Sequence, residues 1–536
     1  MKNNLTKKEI DNLLKWAEKY YIEDLDSEEK ILNITELKIN SYGIKSIPTE
    51  VFKLINLETL DIKCNSLKEL TKEIENLINL KELNLDCWYL EELPKEIGNL
   101  INLKKLRLEC KNLEKLSEEI YNLNNLETLD IICDSLKEFP KEIFNFKNLQ
   151  NIGLIYFDKF KGFYKKINDL DNIKTIELKM SDFYENEILT EVFELSKLTN
   201  LSIRSNNMAE LPKEIENLIN LKELDICCEN LEKLPEEIYN LNNLEKLNIY
   251  SENLKEIQKE IRKLINLKKL DIHCENLEEL PNEIGKLINL KELIIRCNNL
   301  EELPSEIGKL INLEELYIDY CYKLKELPET IWNLINLKNL HIYCGNLKEL
   351  PKEIRNLINL EELNLYCWYL KKLPSEIGKL INLKELDIWC ENLEKLPKEI
   401  GNLTNLADIT ICCKKIKELP KEIGNLINLK NLHIYCGNLR ELPSEIVKLI
   451  NLEYLYIECE NLEKLPKKIC NLINLESIEM YCDNLRELPK EICNLTNLER
   501  IEMYCDNLRE LPNEIGKLTN LEVIKIHRRI KRTHIN

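Results

Sequence analysis

LKKLDIHCENLEELPNEIGKLIN (residues 267–289) is followed at once by LKELIIRCNNLEELPSEIGKLIN (residues 290–312), and the two align without a gap at a period of 23 residues. With the first leucine as phase marker, units start at Ile34, Leu57, Leu80, Leu103, Leu126 and Leu149. They continue at Ile173, Leu198, Leu221, Leu244, Leu267, Leu290, Leu313, Leu337, Leu360 and Leu383. Leu406, Leu429, Leu452, Leu475, Leu498 and Leu521 complete a series of 22 units. Self-similarity at such a period is the mark of a repeat architecture, in which each unit completes its core only against its neighbours.

Each unit carries two hydrophobic periods. Leu267, Leu270, Ile272 and Cys274 end in strict alternation, which predicts a short strand with those side chains on one face. Leu280, Ile284 and Leu287 are spaced for one or two helical turns, with Pro281 opening the segment. One strand and one turn of helix cannot bury an apolar face alone. Stacked units can, as an α/β solenoid with a parallel sheet along one side.

The repeated pattern L-x-x-L-x-[IL]-x-C-x-N-L-x-x-L-P-x-E-I-x-x-L-x-N resembles a leucine-rich repeat, and more narrowly the intracellular type with L-P-x-x-I-x-x-L on the convex side. That type occurs in Ras-associated and Scribble-like scaffolds, plant resistance proteins and large bacterial families. The resemblance implies a horseshoe with its sheet on the concave face, short helices on the convex face, and a concave surface that binds other proteins. A signalling role beside a GTPase rests on that analogy alone.

One departure from the family pattern concerns cysteine. The family places an Asn nine positions into the unit; here the eighth position is Cys in most units and Asn falls at the tenth, as in Asn112, Asn276, Asn346, Asn438 and Asn507. The unit from Leu313, LEELYIDYCYKLKELP, has one extra residue ahead of Cys321, so the other units read as having lost a residue between strand and Cys. The Cys is then expected to point inward and the Asn to satisfy turn backbone. Fifteen of the 20 cysteines hold this one position, with Cys321 as an offset member. Cys227 and Cys412, one residue earlier, should face outward, and Cys470 and Cys493 lie in the convex turns. These four are the candidates for reactive thiols, with ordinary surface or half-buried cysteine as the competing reading.

Composition narrows the function further. The 536 residues would ordinarily divide into several domains, but only 12 Gly and 16 Pro leave few linkers, so one quasi-one-dimensional domain is expected. A formal net charge of −19 argues against nucleic acid and anionic membranes as partners. The N-terminus lacks an apolar signal-peptide core and no stretch of about 18 apolar residues occurs, which points to a cytoplasmic protein. An exported effector or virulence-type binding protein acting on a foreign protein, sent out without a classical signal peptide, is the alternative. No glycine-rich phosphate loop, HExxH, GxSxG or kinase motif is present, and a straight cysteine column does not offer zinc a tetrahedron. The expectation is a non-enzyme without cofactor or metal.

Residues 1–33 are expected to form an N-terminal capping helix, with Thr6 and Glu9 as its capping box and Leu5, Ile10, Leu13, Leu14 and Ala17 on its apolar face. The array spans 34–526, with an irregular stretch at 149–200 whose aromatic segments FDKFKGFYKK and SDFYENEILTEVF form a secondary interaction candidate. A basic tail, 527–536, follows a last strand with no cap, so association through that edge is one reading and a short disordered end the other.

Positions five and seven of each unit alternate with the inward set and face the concave side. The seventh column reads Tyr250, His273, Arg296, Asp319, Tyr343, Tyr366 and Trp389, then after Cys412 Tyr435, Glu458, Tyr481, Tyr504 and His527. Earlier units hold Lys63, Asp86, Glu109 and Ile132 there. Tyr317, His341, His433 and Tyr456 add to the set from the fifth column. Tyr and Trp among polar residues are the pattern of an interface hot spot, while cross-strand packing of a sheet is the competing reading. Asp271, Asp387, Glu479 and Glu502 nearby favour a partner segment with basic residues. A recent-looking duplication, LESIEMYCDNLRELPKEICNLTN (475–497) and LERIEMYCDNLRELPNEIGKLTN (498–520), shows how readily such a groove lengthens.

Overall fold

The computed structural model describes residue 3 and residues 5–133, 135–137, 146–155, 172–180 and 185–527. Contacts divide the chain into two compact units, Met1–Glu252 and Asn253–Asn536. In the first, strands β1 (Glu36–Asn40) to β10 (Lys246–Ser251) pair in parallel, each with the next in sequence. In the second, β11 (Lys269–Cys274) to β22 (Val523–His527) do the same. Each is the repeat-built parallel sheet of a leucine-rich repeat solenoid, as the 23-residue period predicts.

Register follows the period. Leu270 lies opposite Leu293 and Leu293 opposite Leu316, so identical columns stack. Where the spacing lengthens the register absorbs it, with Leu316 opposite Leu340 and Ile176 opposite Leu201. Leu270, Ile272, Cys274, Leu277, Ile284 and Leu287 are fully buried, and the same columns are buried along both units. Each such leucine or isoleucine is worth about 1.5–3 kcal/mol relative to exposure, repeated at every step.

The segment opened by proline is tighter than the expected α-helical turn. Pro281 is an N-cap with φ −69° and ψ 145°, and residues Asn282–Lys286 form a 3₁₀ turn. The Leu280–Ile284–Leu287 spacing fits either helix, and a segment this short favours the 3₁₀ form. Gly378 in the turn Ser375–Lys379 marks how closely successive turns approach: a Cβ there would lie 2.4 Å from the Glu399 carbonyl oxygen.

Between repeats, backbone polar groups are tied by asparagine. Asn289, Asn312, Asn359 and Asn382 each donate a 2.8 Å bond from Nδ2 to the carbonyl of Ile265, Ile288, Ile335 and Ile358 in the preceding repeat. These asparagines close the repeat at its last position, a role the sequence reading did not assign. The acceptor isoleucines stand about half exposed, Ile288 at 52%. A second row acts at the tenth position, where Asn392 and Asn438 donate at 2.7 Å to the carbonyls of Trp368 and Lys414. That row was expected.

The cysteines of the eighth column point inward, also as expected. Cys64, Cys297 and Cys390 donate to the carbonyls of Ile39, Ile272 and Leu365 at 3.7, 3.8 and 3.6 Å. Cys321 keeps the same bond, 3.7 Å to Ile295, because the extra residue Tyr320 is taken up in a left-handed conformation with φ 56°. Burial raises the Cys64 thiol to about 11 and that of Cys87 to about 12, the direction of an inert core group. Of the four outlying cysteines, Cys227, Cys412 and Cys470 are half-buried and Cys493 is buried. Burial raises Cys227 and Cys493 as well, and Cys412 to about 11, the opposite of an activated thiol.

The N-terminal residues hold more than the single expected helix. In α1 (Lys7–Tyr20) the Thr6–Glu9 capping box is complete and Ile10, Leu13 and Ala17 are buried. Leu5 and Leu14 are only half-buried. A second helix, α2 (Glu28–Asn33), follows. Asn3 joins them to the array, donating 2.9 Å to the Ile31 carbonyl and accepting 3.0 Å from the Asn56 amide. Hydrogen bonds from Lys53 and Thr6 hold the Glu9 carboxyl down to about 2.

At the other end β22 pairs with β21 (Arg500–Tyr504), and its Ile524 and Ile526 are 45% and 40% exposed. The segment FDKFKGFYKK and the tail beyond His527 lie outside the described residues. Of the second irregular segment, α3 (Glu185–Val192) is described as a helix.

Replacing Gly378 by Ala should lower stability by about 1–3 kcal/mol in chemical denaturation, since adjacent turns must part. Gly437→Ala, where a Cβ meets nothing within 4 Å, should leave it within about 0.5 kcal/mol of the parent.

Candidate partner-binding surface

Alternation places the third, fifth and seventh positions of each strand on the face opposite the buried leucines. In the second unit the seventh column forms a row of touching rings. Tyr343 and Tyr366 lie 5.5 Å apart, and Tyr366 and Trp389 5.6 Å with planes 12° apart. Tyr435–Tyr456 at 4.8 Å, Tyr456–Tyr481 at 5.6 Å, Tyr481–Tyr504 at 4.5 Å and Tyr504–His527 at 4.5 Å continue it.

The one small residue in this run, Cys412 on β17 (Asp408–Cys412), does not break it. Trp389 and Tyr435, in register on either side, lean across it until their rings are 5.5 Å apart. Tyr320 and Tyr322, brought in by the longer unit, join at Tyr343, with Trp368 closing against Tyr322 at 6.0 Å and 21°. Gly345 makes that closure possible: a Cβ there would sit 3.3 Å from Trp368 and 3.6 Å from Tyr322. Tyr320, Tyr322 and Trp368 were not among the residues picked from sequence. They stand at or beyond the strand ends, off the alternating columns, and the extra residue before Cys321 was their signal.

The structure does not bring all the predicted residues together. Tyr343, Tyr366, Trp389, Tyr435, Tyr456, Tyr481 and Tyr504 stand in one row. His433 stacks on Tyr456 at 5.9 Å, and Tyr317 lies 4.4 Å from His341. His273 and Arg296, at the start of the second unit, belong to a charged patch: Arg296 bonds Asp271 at 3.1 Å and lies 3.6 Å from Asp319. Tyr250, on β10, is part of the first unit.

Phenols and carboxylates alternate along the row. Tyr317 donates to Glu315 at 2.9 Å, Tyr456 to Glu458 at 3.0 Å and Tyr481 to Glu479 at 3.0 Å. Burial and these carboxylates raise the phenols, Tyr317 to about 12. Burial, with Asp387 and Glu385 nearby, raises Tyr366 to about 12 as well. His341 lies 2.9 Å from Glu362. His273 and His433 are lowered by burial, so they favour the neutral ring. The surface offers aromatic faces and negative charge. Among the described residues, no group of three His, Cys, Asp or Glu side chains is arranged to hold a metal ion.

A leucine-rich repeat region matches residues 70–203, 251–371, 325–441, 409–483 and 443–535, and a leucine rich repeat matches residues 33–87. These matches span most of the sequence: the chain belongs to the leucine-rich repeat family. Among solved structures it is similar to a leucine-rich repeat protein of Leptospira interrogans, at 29% identity over 88% of this chain and 97% of that one, TM-score 0.45. It is similar also to the plant peptide hormone receptor RGFR1 in complex with RGF2, at 21% identity over 92% and 95%, TM-score 0.46. The functional domain of InlJ from Listeria monocytogenes, which includes a cysteine ladder, matches at 19% over 72% and 75%, TM-score 0.41. Comparison with the curated proteins returns no match.

Burial is the first cause that raises the Asp387 carboxyl above its ordinary 3.8, with Glu362 and Asp408 adding repulsion. The folded chain thus keeps this proton at a pH where the unfolded chain has released it, and stability falls as pH rises from 3.8 through the raised value. Asp387→Asn should raise the thermal midpoint at pH 7. The gain should shrink on acidification and vanish below the ordinary carboxylate range, as scanning calorimetry at several pH values would read.

Proposed function

We propose that this protein is a non-catalytic scaffold or adaptor that binds a protein partner on the strand face of its second unit. The observation that carries the reading is the continuous ring row from Tyr343 to His527, flanked by carboxylates. Sheet packing needs neighbouring rings. It does not need them collected on the face opposite the buried leucines with phenol–carboxylate pairs, a composition suited to a partner segment with basic residues.

Leucine-rich repeat proteins generally mediate protein–protein interaction, and the chain offers such a surface without a recognised catalytic constellation. The reading includes a cap over 1–33, the array over 34–526 and the tail 527–536. The cytoplasm is the proposed compartment, where thiols such as those of the eighth column stay reduced. Among the described residues no helix is long and apolar enough to cross a membrane. Fractionation with an antibody separates this placement from export by a route without a signal peptide.

Affinity capture from the native cell followed by mass spectrometry identifies the partner. Replacing Tyr343, Tyr366 and Trp389 together by Ala should then weaken its binding by about 100-fold or more, the scale of removing a hot spot, with unfolding still cooperative. Unchanged binding by the folded triple variant rejects the surface.

A further inference from the structure

Carboxylates on the strand face of the second unit are mostly answered by a cation or a phenol. Arg296 serves Asp271 and Asp319, Lys269 pairs with Glu292, and Lys525 and Arg500 serve Glu502. Glu315, Glu458 and Glu479 accept from tyrosines.

Three adjacent strands are the exception. On β15 (Glu362–Leu365), β16 (Glu385–Trp389) and β17, the register sets Glu362, Glu385 and Asp408 directly opposite one another, with Asp387 two residues along. Like charges so placed repel. Among the described residues no Lys or Arg pairs with Glu385, Asp387 or Asp408. Glu362 meets His341 and an amide of Asn364, Asp387 faces the Thr410 hydroxyl and His433, and Asp408 takes an amide of Asn431.

A second observation points the same way. Asn364, opposite Asp387, is 6% exposed, gives its amide to Glu362 at 2.8 Å, and leaves Oδ1 without a partner. A buried acceptor left orphaned beside this floor of facing carboxylates is a cost that donors brought by a partner would relieve. Beside it stand Tyr366 and Trp389, nearly parallel.

We propose that this floor, with Tyr366 and Trp389 as its wall, receives one arginine side chain of the protein partner. A guanidinium is planar, carries five donors in a fixed fork, sheds water more easily than an ammonium and stacks on aromatic faces. It supplies charge, donors and a flat face together, which a lysine does not. The proposal rests on the reading that this face binds the partner, and it names the anchor within it.

The test uses the full chain and short synthetic peptides with one central residue, arginine, lysine or citrulline, titrated by calorimetry. Arginine should bind at least about tenfold more tightly than either of the others, citrulline having the same shape without charge. The variant Glu385→Gln, Asp387→Asn, Asp408→Asn should lose that preference while folding at least as stably as the parent. Glu278→Gln, Glu301→Gln, Glu349→Gln, equal in charge but off the strand face, should keep it. Equal binding of arginine and citrulline, equal binding of lysine, or an equal loss in the off-face variant each overturns the assignment. These outcomes are independent of the triple aromatic variant with the native partner, so a wrong anchor is distinguishable from a wrong face.

Discussion

One hydrogen bond, repeated along the array, holds the structure in register: the amide of an asparagine at the end of a repeat donated to the backbone carbonyl of the repeat before, as from Asn382 to Ile358. A chain that turns a corner every few residues leaves carbonyls that neither strand nor 3₁₀ turn can use. Water can solvate such a group, but it cannot align one repeat on the next. The side-chain amide does both. Because the bond spans 24 residues, it demands that every unit keep its length or absorb a change locally. Tyr320, with its left-handed backbone, is one such local absorption. Columns of identical residues, and hence buried leucines and inward thiols, follow from that alignment.

The same alignment builds the candidate surface and strains it. Identical register turns a single acidic residue per repeat into a line of facing carboxylates. Most of that line is compensated by Arg296, Lys269 or a phenol. Where compensation stops, at Glu385, Asp387 and Asp408, the protein carries repulsion that a packed sheet has no use for. On the proposed function, stability conceded on this short stretch, next to two stacked rings, is the cost of the binding site to its scaffold.

Much of this was legible in the sequence because the period is explicit and alternation is unambiguous. The inward cysteines, the capping box of Thr6 and Glu9, and the outward row from Tyr343 to Tyr504 needed only counting. Other features depend on geometry that counting does not supply. A 4-then-3 spacing such as Leu280–Ile284–Leu287 does not separate 3₁₀ from α-helix. The joining of Trp389 and Tyr435 across Cys412 depends on rotamers, and that of Tyr322 and Trp368 on the missing side chain of Gly345. The terminal asparagines were visible along the array, but an exposed polar residue announces a backbone bond only when its acceptor is located. The facing carboxylates sit one per repeat on the third column, and become a line of like charges only once the register sets them opposite one another.

The ring row has an optical consequence. Tyr343 and Tyr366 touch Trp368 and Trp389, and Tyr435 touches Trp389 from the other side. Excitation absorbed by these tyrosines passes to indoles whose excited states lie lower, so their emission is drawn toward two tryptophans. One of these stands beside the uncompensated carboxylates and the other beside Tyr322 and Tyr343. The surface thus carries its own fluorophores, and their colour and intensity depend on the local field and on exposure to water.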